Sequence, residues 1–137
     1  MPVIIDTSAL YALIDRGERQ HAAVVAALSS ERESIVLPQT VLTESCYLIA
    51  SRLGPVVERE FLRGLLDSDW RTEAMTAADV ERTAELLATY ADADLGLVDA
   101  SVVATAERLG ASRLYTLDQR DFRPVRPRHT QAFDIRP

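Results

Sequence analysis

Short apolar runs rich in β-branched residues alternate along this chain with longer segments that have a helical pattern. Residues 3–5, 34–37 and 113–117 form the clearest of these runs, and residues 70–75 form a weaker one. A short run that is mostly apolar is typical of a strand covered on both faces, which is the situation in a parallel sheet. The alternation therefore predicts an α/β fold, in which a mostly parallel central sheet of four to five strands lies between two layers of helices.

Helix signals mark the segments between the strands. Helices are predicted at residues 9–15, 21–29, 40–53, 55–66, 76–90 and 97–109. Thr7 and Ser8 precede the first helix as candidate N-caps, and Gly54 and Gly110 end two of the others. The tail after residue 122 is rich in proline and carries a weak signal for an edge strand at residues 131–135.

The size and composition of the chain fit one domain, which we expect to span residues 1–137. Cys46 is the only cysteine, so a disulfide within the chain is excluded and a reducing cytoplasm is the expected location. The first residues have neither the basic stretch nor the apolar run of a signal peptide. No segment approaches the roughly 20 apolar residues of a membrane-spanning helix.

The net charge of −6 argues against a protein that binds nucleic acid passively, because such proteins are usually basic. All 15 basic residues are arginine, which excludes any mechanism that needs a catalytic lysine. An acidic chain can still act on RNA if its carboxylates gather in one pocket and are neutralised there by metal ions. Whether this chain can act on RNA therefore depends on where its acidic residues lie.

Four acidic residues are predicted to meet at one edge of the sheet. Asp6 and Asp118 each follow a predicted strand directly, and Glu44 lies in the first turns of the helix after the second strand. Asp99 lies in the first turn of the helix that leads into residues 113–117. The carboxyl ends of parallel strands and the starts of the following helices share one edge, where open α/β sheets bind their ligands.

Taken singly, each of these acids has a structural explanation as a turn residue or as a partner of a helix dipole. Glu44 and Asp99 have apolar neighbours at helical spacing, however, which predicts that both lie on or beside a buried face, where charge is costly. Taken together, the four charges would raise one another's pKa, and no lysine is available to neutralise them. Mg²⁺ or Mn²⁺ would neutralise them, and the chemistry that such a site supports is phosphodiester hydrolysis.

These segments, in this order, resemble the PIN-domain nucleases. The segment Ile-Asp-Thr-Ser-Ala-Leu at residues 5–10 is similar to the opening of that family, and Glu44 stands where the family places its second acid. Residues 90–101, with Leu-Val-Asp-Ala-Ser around Asp99, resemble the third-acid segment. Thr116-Leu117-Asp118, followed by Asp121, resembles the fourth. The match covers nearly the whole chain, and its length is typical of VapC-type toxins of bacterial VapBC toxin–antitoxin pairs.

The resemblance implies a Mg²⁺-dependent endoribonuclease that cuts structured RNA such as tRNA or rRNA. It also implies a homodimer and a cognate antitoxin protein. The residues carried over as metal ligands or as groups that orient metal-bound water are Asp6, Glu44, Asp99 and Asp118. Thr116, together with Thr7 or Ser8, would supply supporting hydroxyls. Some relatives carry a further acid where Gly96 stands, which leaves open whether one or two ions bind.

Arginines just after Asp118 are candidates for holding RNA phosphates or an acidic antitoxin tail. Arg120 and Arg123 are the nearest of them, followed by Arg126 and Arg128, and a solvated arginine-rich tail is the alternative explanation. Arg16 and Arg19, after the first helix, are weaker candidates. Leu10, Tyr11, Leu13 and Ile14 exceed what one helix face can bury, so some of them are candidates for a dimer or antitoxin surface.

Other functions remain as alternatives. The main one is a catalytically idle PIN-like domain that only binds RNA or a protein, and a nuclease acting on DNA is another. A phosphotransfer receiver domain would need a lysine near the site, and a haloacid-dehalogenase-like phosphatase would need an aspartate where Ser8 stands. A serine hydrolase triad would have to use His21 or His129, and neither Ser8 nor Ser101 has the sequence context of a nucleophile. The roles of Asp92, Asp94 and Asp121 are left open.

Overall fold

Five short strands form the centre of the molecule in the computed structural model, which describes residues 1–137. They are β1 (Val3–Ile5), β2 (Ile35–Pro38), β3 (Arg71–Glu73), β4 (Arg113–Tyr115) and β5 (Asp134–Arg136). All neighbouring strands are parallel, and their order across the sheet is β3-β2-β1-β4-β5. The predicted parallel sheet is therefore confirmed, with the weakly signalled tail segment as its fifth strand.

Seven helices surround the sheet. They are α1 (Thr7–Ile14), α2 (His21–Ser29), α3 (Gln39–Leu53), α4 (Pro55–Asp67), α5 (Ala77–Thr89), α6 (Leu97–Leu109) and α7 (Gln119–Phe122). The first six match the predicted helices to within about two residues. The three-layer α/β/α prediction is confirmed. None of the helices has the length and apolar character that a membrane crossing would require.

The order of the strands creates a crevice at the carboxyl ends of β1 and β4. The chain moves outward from β1 to β2 and β3, and then returns across the sheet to place β4 on the other side of β1. Right-handed crossovers that run in opposite directions place their helices on opposite faces of the sheet. Helices therefore diverge on either side of the β1–β4 boundary, which is the position where open α/β sheets hold ligands.

Burial explains why the central strands form where they do. All three residues of β1 and all four of β2 are buried, as expected for strands covered by helices on both faces. The main core cluster contains 23 buried residues, most of them in β1, β2, β4, α1, α3 and α6, with Phe61 of α4, Leu86 of α5 and Phe122 of α7 among the rest. This core gives the carboxyl edge of the sheet a rigid base.

The start of α1 differs from the sequence prediction. The helix begins at Thr7, and Asp6 occupies the N-cap position without making a side-chain cap. Thr7 is the first residue of the helix and so is not its N-cap. Ser8 does not cap the helix either, because its hydroxyl bonds to residues after β4. Helix α7 was not predicted, since its four residues are too few to show a helical period.

Candidate active site

Asp6 lies in the crevice, at the point where β1 ends. Its backbone N–H donates to the carbonyl of Tyr115 on β4 at 2.9 Å, which ties the ends of the two strands together. The residue is 1% exposed, and its Oδ2 accepts a hydrogen bond of 2.9 Å from the Thr116 hydroxyl. Burial raises the pKa of Asp6 to about 7, although hydrogen bonds from Thr116 and from the Thr7 N–H oppose the shift.

A chain of hydroxyl groups supports Asp6. Thr116 has a single proton, which it donates to Asp6, so the Ser8 hydroxyl at 3.1 Å must be the donor in the bond between Ser8 and Thr116. Ser8 in turn accepts from the Leu117 N–H at 2.8 Å, and Thr116 accepts from the Asp118 N–H at 3.0 Å. These bonds fix the loop after β4 relative to Asp6.

The predicted supporting hydroxyls therefore separate into two groups. Ser8 and Thr116 are both part of the network around Asp6. Thr7 is not, because its Oγ1 is buried and forms no hydrogen bond with another protein atom. Its backbone N–H contributes to Asp6 instead.

Asp99 lies in the first turn of α6 and is half-buried. Its Oδ2 accepts a hydrogen bond of 3.2 Å from the Gly96 N–H, so it also caps its own helix. Burial raises the pKa of Asp99 to about 6, against the effect of that hydrogen bond, and the charges of Asp121, Asp118 and Glu44 raise it further. The charge of Asp118 thus raises the pKa of both Asp6 and Asp99.

Glu44 lies on α3 and is exposed, so the prediction that it lies on or beside a buried face is wrong. The fully buried positions of α3 are Val41, Ser45 and Ile49, spaced by one helical turn, and Glu44 falls outside that row. Its charge nevertheless acts on Asp99. Glu44 therefore belongs to the outer part of the cluster.

The helices that carry Glu44 and Asp99 are joined by one hydrogen bond. The Thr40 and Ser101 hydroxyls are 2.7 Å apart, and Ser101 donates to the carbonyl of Val98 at 2.7 Å. Thr40 must therefore be the donor to Ser101. This bond fixes the start of α3 against the start of α6.

Asp118 and Asp121 lie on the opposite side of the crevice from α3, at the start of α7. Asp118 is exposed and occupies the N-cap position of α7. Burial raises the pKa of Asp121, as do the charges of Asp118 and Asp94, while Arg120 lowers it. Sequence reasoning left the role of Asp121 open, whereas the structure places it within the cluster. Its spacing of three residues from Asp118 was the available signal, but it has meaning only once the short helix is known.

The arginines after Asp118 do not form one basic patch. Arg120 lies beside the acidic cluster and lines the same small cleft as Asp118. Arg123 donates to the side-chain oxygen of Gln119 at 2.6 Å. Arg128 forms an ion pair of 2.8 Å with Glu85 on α5 and so belongs to another part of the surface. Of the tentative RNA-binding residues, Arg120 is thus the nearer to the acids.

Both histidines are bonded to backbone carbonyls. Nδ1 of His21 is 2.7 Å from the carbonyl oxygen of Ala12, and Nε2 of His129 is 2.7 Å from that of Ala111. Neither ring bonds to a serine hydroxyl, so the structure contains no serine–histidine pair of the kind that a hydrolase triad requires.

The donor set at this edge fits a hard divalent cation, but it does not form a complete coordination shell by itself. The candidate ligands are all carboxylate oxygens, which Mg²⁺ and Mn²⁺ prefer. No three His, Cys, Asp or Glu side chains lie close enough together to hold one ion directly. Mg²⁺ in nucleotide-processing sites usually has one or two carboxylate ligands together with waters and substrate phosphate, and the arrangement is compatible with that mode.

A groove of about 820 Å³ lies away from these acids. It runs between α1, the end of α3 and α4, and its apolar lining includes Leu13, Ile14, Phe61 and Trp70. Leu10 and Tyr11, the other apolar residues noted on α1, are buried. The chemistry of the acidic crevice is therefore separate from this groove.

Comparisons with known proteins agree with the fold. The PIN domain family model matches residues 3–126. Ribonuclease VapC26 of Mycobacterium tuberculosis is 36% identical over 135 residues, which cover 98% of this chain and 100% of that protein.

Two solved structures have a similar fold. The crystal structure of Mycobacterium tuberculosis VapC20, described as a sarcin–ricin loop cleaving toxin, has a TM-score of 0.80 at 25% identity and covers 85% of this chain and 89% of its own. A chain of a toxin–antitoxin complex from Klebsiella pneumoniae has a TM-score of 0.69 at 22% identity, covering 88% and 89% of the two chains.

Proposed function

The chain belongs to the PIN-domain family, and from this premise we propose that it is an endoribonuclease whose activity depends on a divalent metal ion. The observation that carries the proposal is Asp6, a fully buried carboxylate whose charged neighbours are Asp99 and Asp118. Its side-chain hydrogen bond comes from the neutral Thr116 hydroxyl and not from an arginine. Such a carboxylate is costly to ionise unless a cation joins it, and nuclease chemistry at phosphate uses a cation of this kind.

We assign Asp6, Glu44, Asp99 and Asp118 as metal ligands or as groups that orient the water around the ion. Mg²⁺ is the expected ion and Mn²⁺ the expected substitute, because both prefer carboxylate oxygens. A bound ion would lower the pKa of a water molecule and offset negative charge at the scissile phosphate. Asp121 is a further candidate, because its charge acts on Asp99.

The residues of the chain itself supply the positioning. The Thr116 hydroxyl donates to Oδ2 of Asp6, and the Ser8 hydroxyl donates to Thr116. The carboxylate is therefore fixed before any ligand binds. The bond between Thr40 and Ser101 holds the helix of Glu44 against the helix of Asp99. Fixing the ligands in advance removes the entropy cost of ordering them during the reaction.

The similarity to VapC ribonucleases supports a role as the toxin of a bacterial type II toxin–antitoxin pair. Its substrate would then be a structured RNA, with tRNA or rRNA as the expected classes, and it would act in the cytoplasm. A cognate antitoxin protein and a homodimeric state are the expected partners. The fold shared with a toxin–antitoxin complex is compatible with that role.

The proposal is tested by incubating the purified protein, stripped of any antitoxin, with total RNA in Mg²⁺ or Mn²⁺. Parallel reactions contain EDTA, the Asp6→Asn variant, or Asp67→Asn as a matched control at an exposed acid outside the crevice. We expect discrete fragments with the wild type and with Asp67→Asn. We expect EDTA to abolish cleavage, and Asp6→Asn to slow it by about 100-fold or more, as when a metal-site residue is removed.

Two results would contradict the proposal. Preferred cleavage of single-stranded DNA over RNA at equal metal concentration would make the chain a deoxyribonuclease. A folded wild-type protein that cuts no RNA in either metal, but that still binds RNA or an antitoxin, would make it a catalytically idle binding domain.

A further inference from the structure

A second cleft lies next to the acidic crevice, on the other side of the loop that carries Asp118. It has a volume of about 570 Å³ and is lined by Glu18, Arg19, Gln20, Leu117, Gln119 and Pro137. We call it the Arg19 cleft. Leu117 and Gln119 also line the small cleft of about 430 Å³ that contains Asp118 and Asp121. The two clefts therefore share a wall, and a polymer chain that leaves Asp118 on this side enters the Arg19 cleft directly.

Arg19 forms no ion pair within the protein. Six of the 15 arginines form ion pairs with carboxylates, and they are Arg71, Arg82, Arg108, Arg113, Arg128 and Arg136. Arg19 is exposed and is not among them. Glu18 lines the same cleft but makes no ion pair with it. The Arg19 guanidinium is thus free to bind an anion, whereas Arg120, on the other side of the loop, already acts on Asp121.

The backbone around Arg19 is held in place by its neighbours. The segment between α1 and α2 forms successive turns, in which the Glu18 N–H donates to the Asp15 carbonyl and the His21 N–H donates to the Glu18 carbonyl, both at 3.0 Å. Oδ1 of Asp15 accepts from the Gly17 N–H at 2.9 Å. The His21 ring, 2.7 Å from the Ala12 carbonyl oxygen, fixes the start of α2 against α1. A ligand that binds here meets a preformed surface, which lowers the cost of binding.

We propose that the Arg19 cleft binds the RNA strand next to the scissile phosphate, with Arg19 as a positioning residue that contacts a backbone phosphate. The inference rests on the proposed function, because it assumes that RNA lies across Asp118. The acidic crevice repels the phosphates that flank the cut site, and Arg19, which forms no ion pair and lines the adjoining cleft, is a cation that can offset this repulsion. Gln20 and Gln119 carry amide donors and acceptors, which suit ribose hydroxyls and the edges of unpaired bases.

The test measures RNA binding separately from cleavage. All variants are made in the Asp6→Asn background, so that the RNA stays intact, and a fluorescein-labelled single-stranded oligouridylate is titrated in Mg²⁺ while its anisotropy is recorded. Arg19→Gln removes the charge, Arg19→Lys keeps it, and Glu18→Gln removes the competing negative charge. Arg32→Gln is the matched control, because Arg32 is exposed, forms no ion pair and lies at the amino-terminal edge of the sheet.

One phosphate contact on a single strand contributes about 0.7 to the salt slope of the binding constant, which is about fivefold in affinity at about 0.1 M salt. We therefore expect Arg19→Gln to weaken binding by about fivefold and to lower the salt slope by about 0.7. Arg19→Lys should retain most of the affinity, Glu18→Gln should increase it, and Arg32→Gln should leave it unchanged. In the cleaving protein, Arg19→Gln should raise KM more than it lowers kcat.

Equal binding and equal salt slopes for Arg19→Gln and its parent would overturn the inference, as would no measurable binding by any variant. A loss of antitoxin affinity in Arg19→Gln, with RNA binding unchanged, would assign the cleft to the antitoxin and would also overturn it. Failure of the proposed function is distinguishable, because it appears as absence of cleavage by the protein that retains Asp6.

Discussion

At the scale of single residues, Asp6 has a position that favours its neutral form when no cation is present. Burial raises its pKa to about 7, against an ordinary value of 3.8, and the charges of Asp99 and Asp118 act in the same direction. Because the folded-state pKa is the higher one, the protonated form favours folding. The metal-free protein is therefore expected to lose stability as pH rises from about 4 to about 7. Above that range Asp6 is ionised in the folded protein, and the loss of stability is complete.

Replacement of Asp6 by Asn should stabilise the metal-free protein at high pH. The neutral amide removes the cost of burying a charge, so we expect the free energy of unfolding in EDTA to increase by roughly 1 to 3 kcal/mol at about pH 8. Near pH 4 the two proteins should have nearly equal stability. Urea denaturation at both pH values measures the difference.

The control for this prediction is Asp67→Asn, which changes an exposed acid outside the crevice and should show no such dependence on pH. Mg²⁺ should stabilise the wild type at high pH by binding to the folded state, and should stabilise Asp6→Asn much less. A lower stability of Asp6→Asn at both pH values would contradict the physical account of Asp6.

Sequence reasoning predicted which acids gather in the crevice better than it predicted their surroundings. Asp6 and Asp118 follow strands, and parallel topology then fixes the edge on which they lie. The exposure of Glu44 was not predictable in the same way, because it depends on which side of α3 packs against the rest of the molecule. The role of Asp121 depends on a turn of four residues, for which the sequence carries no periodic signal.

At the scale of secondary structure, α5 shows how a helix boundary is encoded locally. The Thr76 hydroxyl accepts from the Asp79 N–H at 3.1 Å, and Asp79 Oδ2 accepts from the Thr76 N–H at 3.0 Å, which completes a capping box. Arg108 on α6 also donates to Asp79, at 3.0 and 3.1 Å. The same aspartate thus caps α5 and joins it to α6.

The Thr76→Ala variant should destabilise the protein by about 1 kcal/mol, because the Asp79 N–H loses its acceptor at the start of α5. Thermal unfolding of the wild type and the variant measures this change. Thr89→Ala, at the exposed end of the same helix, is the matched control and should alter stability by less than about 0.5 kcal/mol. Equal losses in the two variants would show that the cap has no special role.

Helix boundaries were predictable where a local signal exists, and strand boundaries less so. The predicted range of α6 agrees with the structure at both ends, where Gly96 precedes the first residue and Gly110 adopts a left-handed conformation with φ of 69°. Strand β4 ends at Tyr115, two residues earlier than predicted, although the Thr116 N–H still donates to the Arg136 carbonyl of β5 at 2.9 Å. No local pattern in the sequence marks that end.

At the scale of the whole molecule, a cluster around Glu31 joins the end of α2 to β4. Glu31 accepts hydrogen bonds from the Tyr115 hydroxyl at 2.6 Å and from Arg113 at 3.0 Å. Burial by itself raises the pKa of Glu31, but the hydrogen bonds from Tyr115, from the Glu33 N–H and from Arg113 outweigh it and lower the pKa to about 2. Because the folded-state pKa is the lower one, this contribution to stability is present above about pH 4.5 and is lost as pH falls towards about 2.

The Glu31→Gln variant should therefore lose roughly 2 kcal/mol of stability at neutral pH, because the charge-assisted bonds to Arg113 and Tyr115 become neutral ones. The loss should shrink below about pH 4.5, where Glu31 takes up a proton in the unfolded wild type but not yet in the folded protein. Urea denaturation across this range measures it. Glu33→Gln removes an exposed ion pair with the terminal amine and should change stability by less than about 1 kcal/mol. A loss that is independent of pH would contradict the assignment.

The hydrogen bond between Thr116 and Asp6 has a consequence for the synthesis of this protein. The two residues are separated by 110 positions, and Asp118 lies beyond both of them. A growing chain that has not yet delivered β4 from the ribosome has neither the hydroxyl that holds Asp6 nor the acid that completes the crevice. Chains ended early by a nonsense codon lack them permanently. An enzyme directed at cellular RNA would thus lack its completed crevice until β4 and Asp118 have left the ribosome.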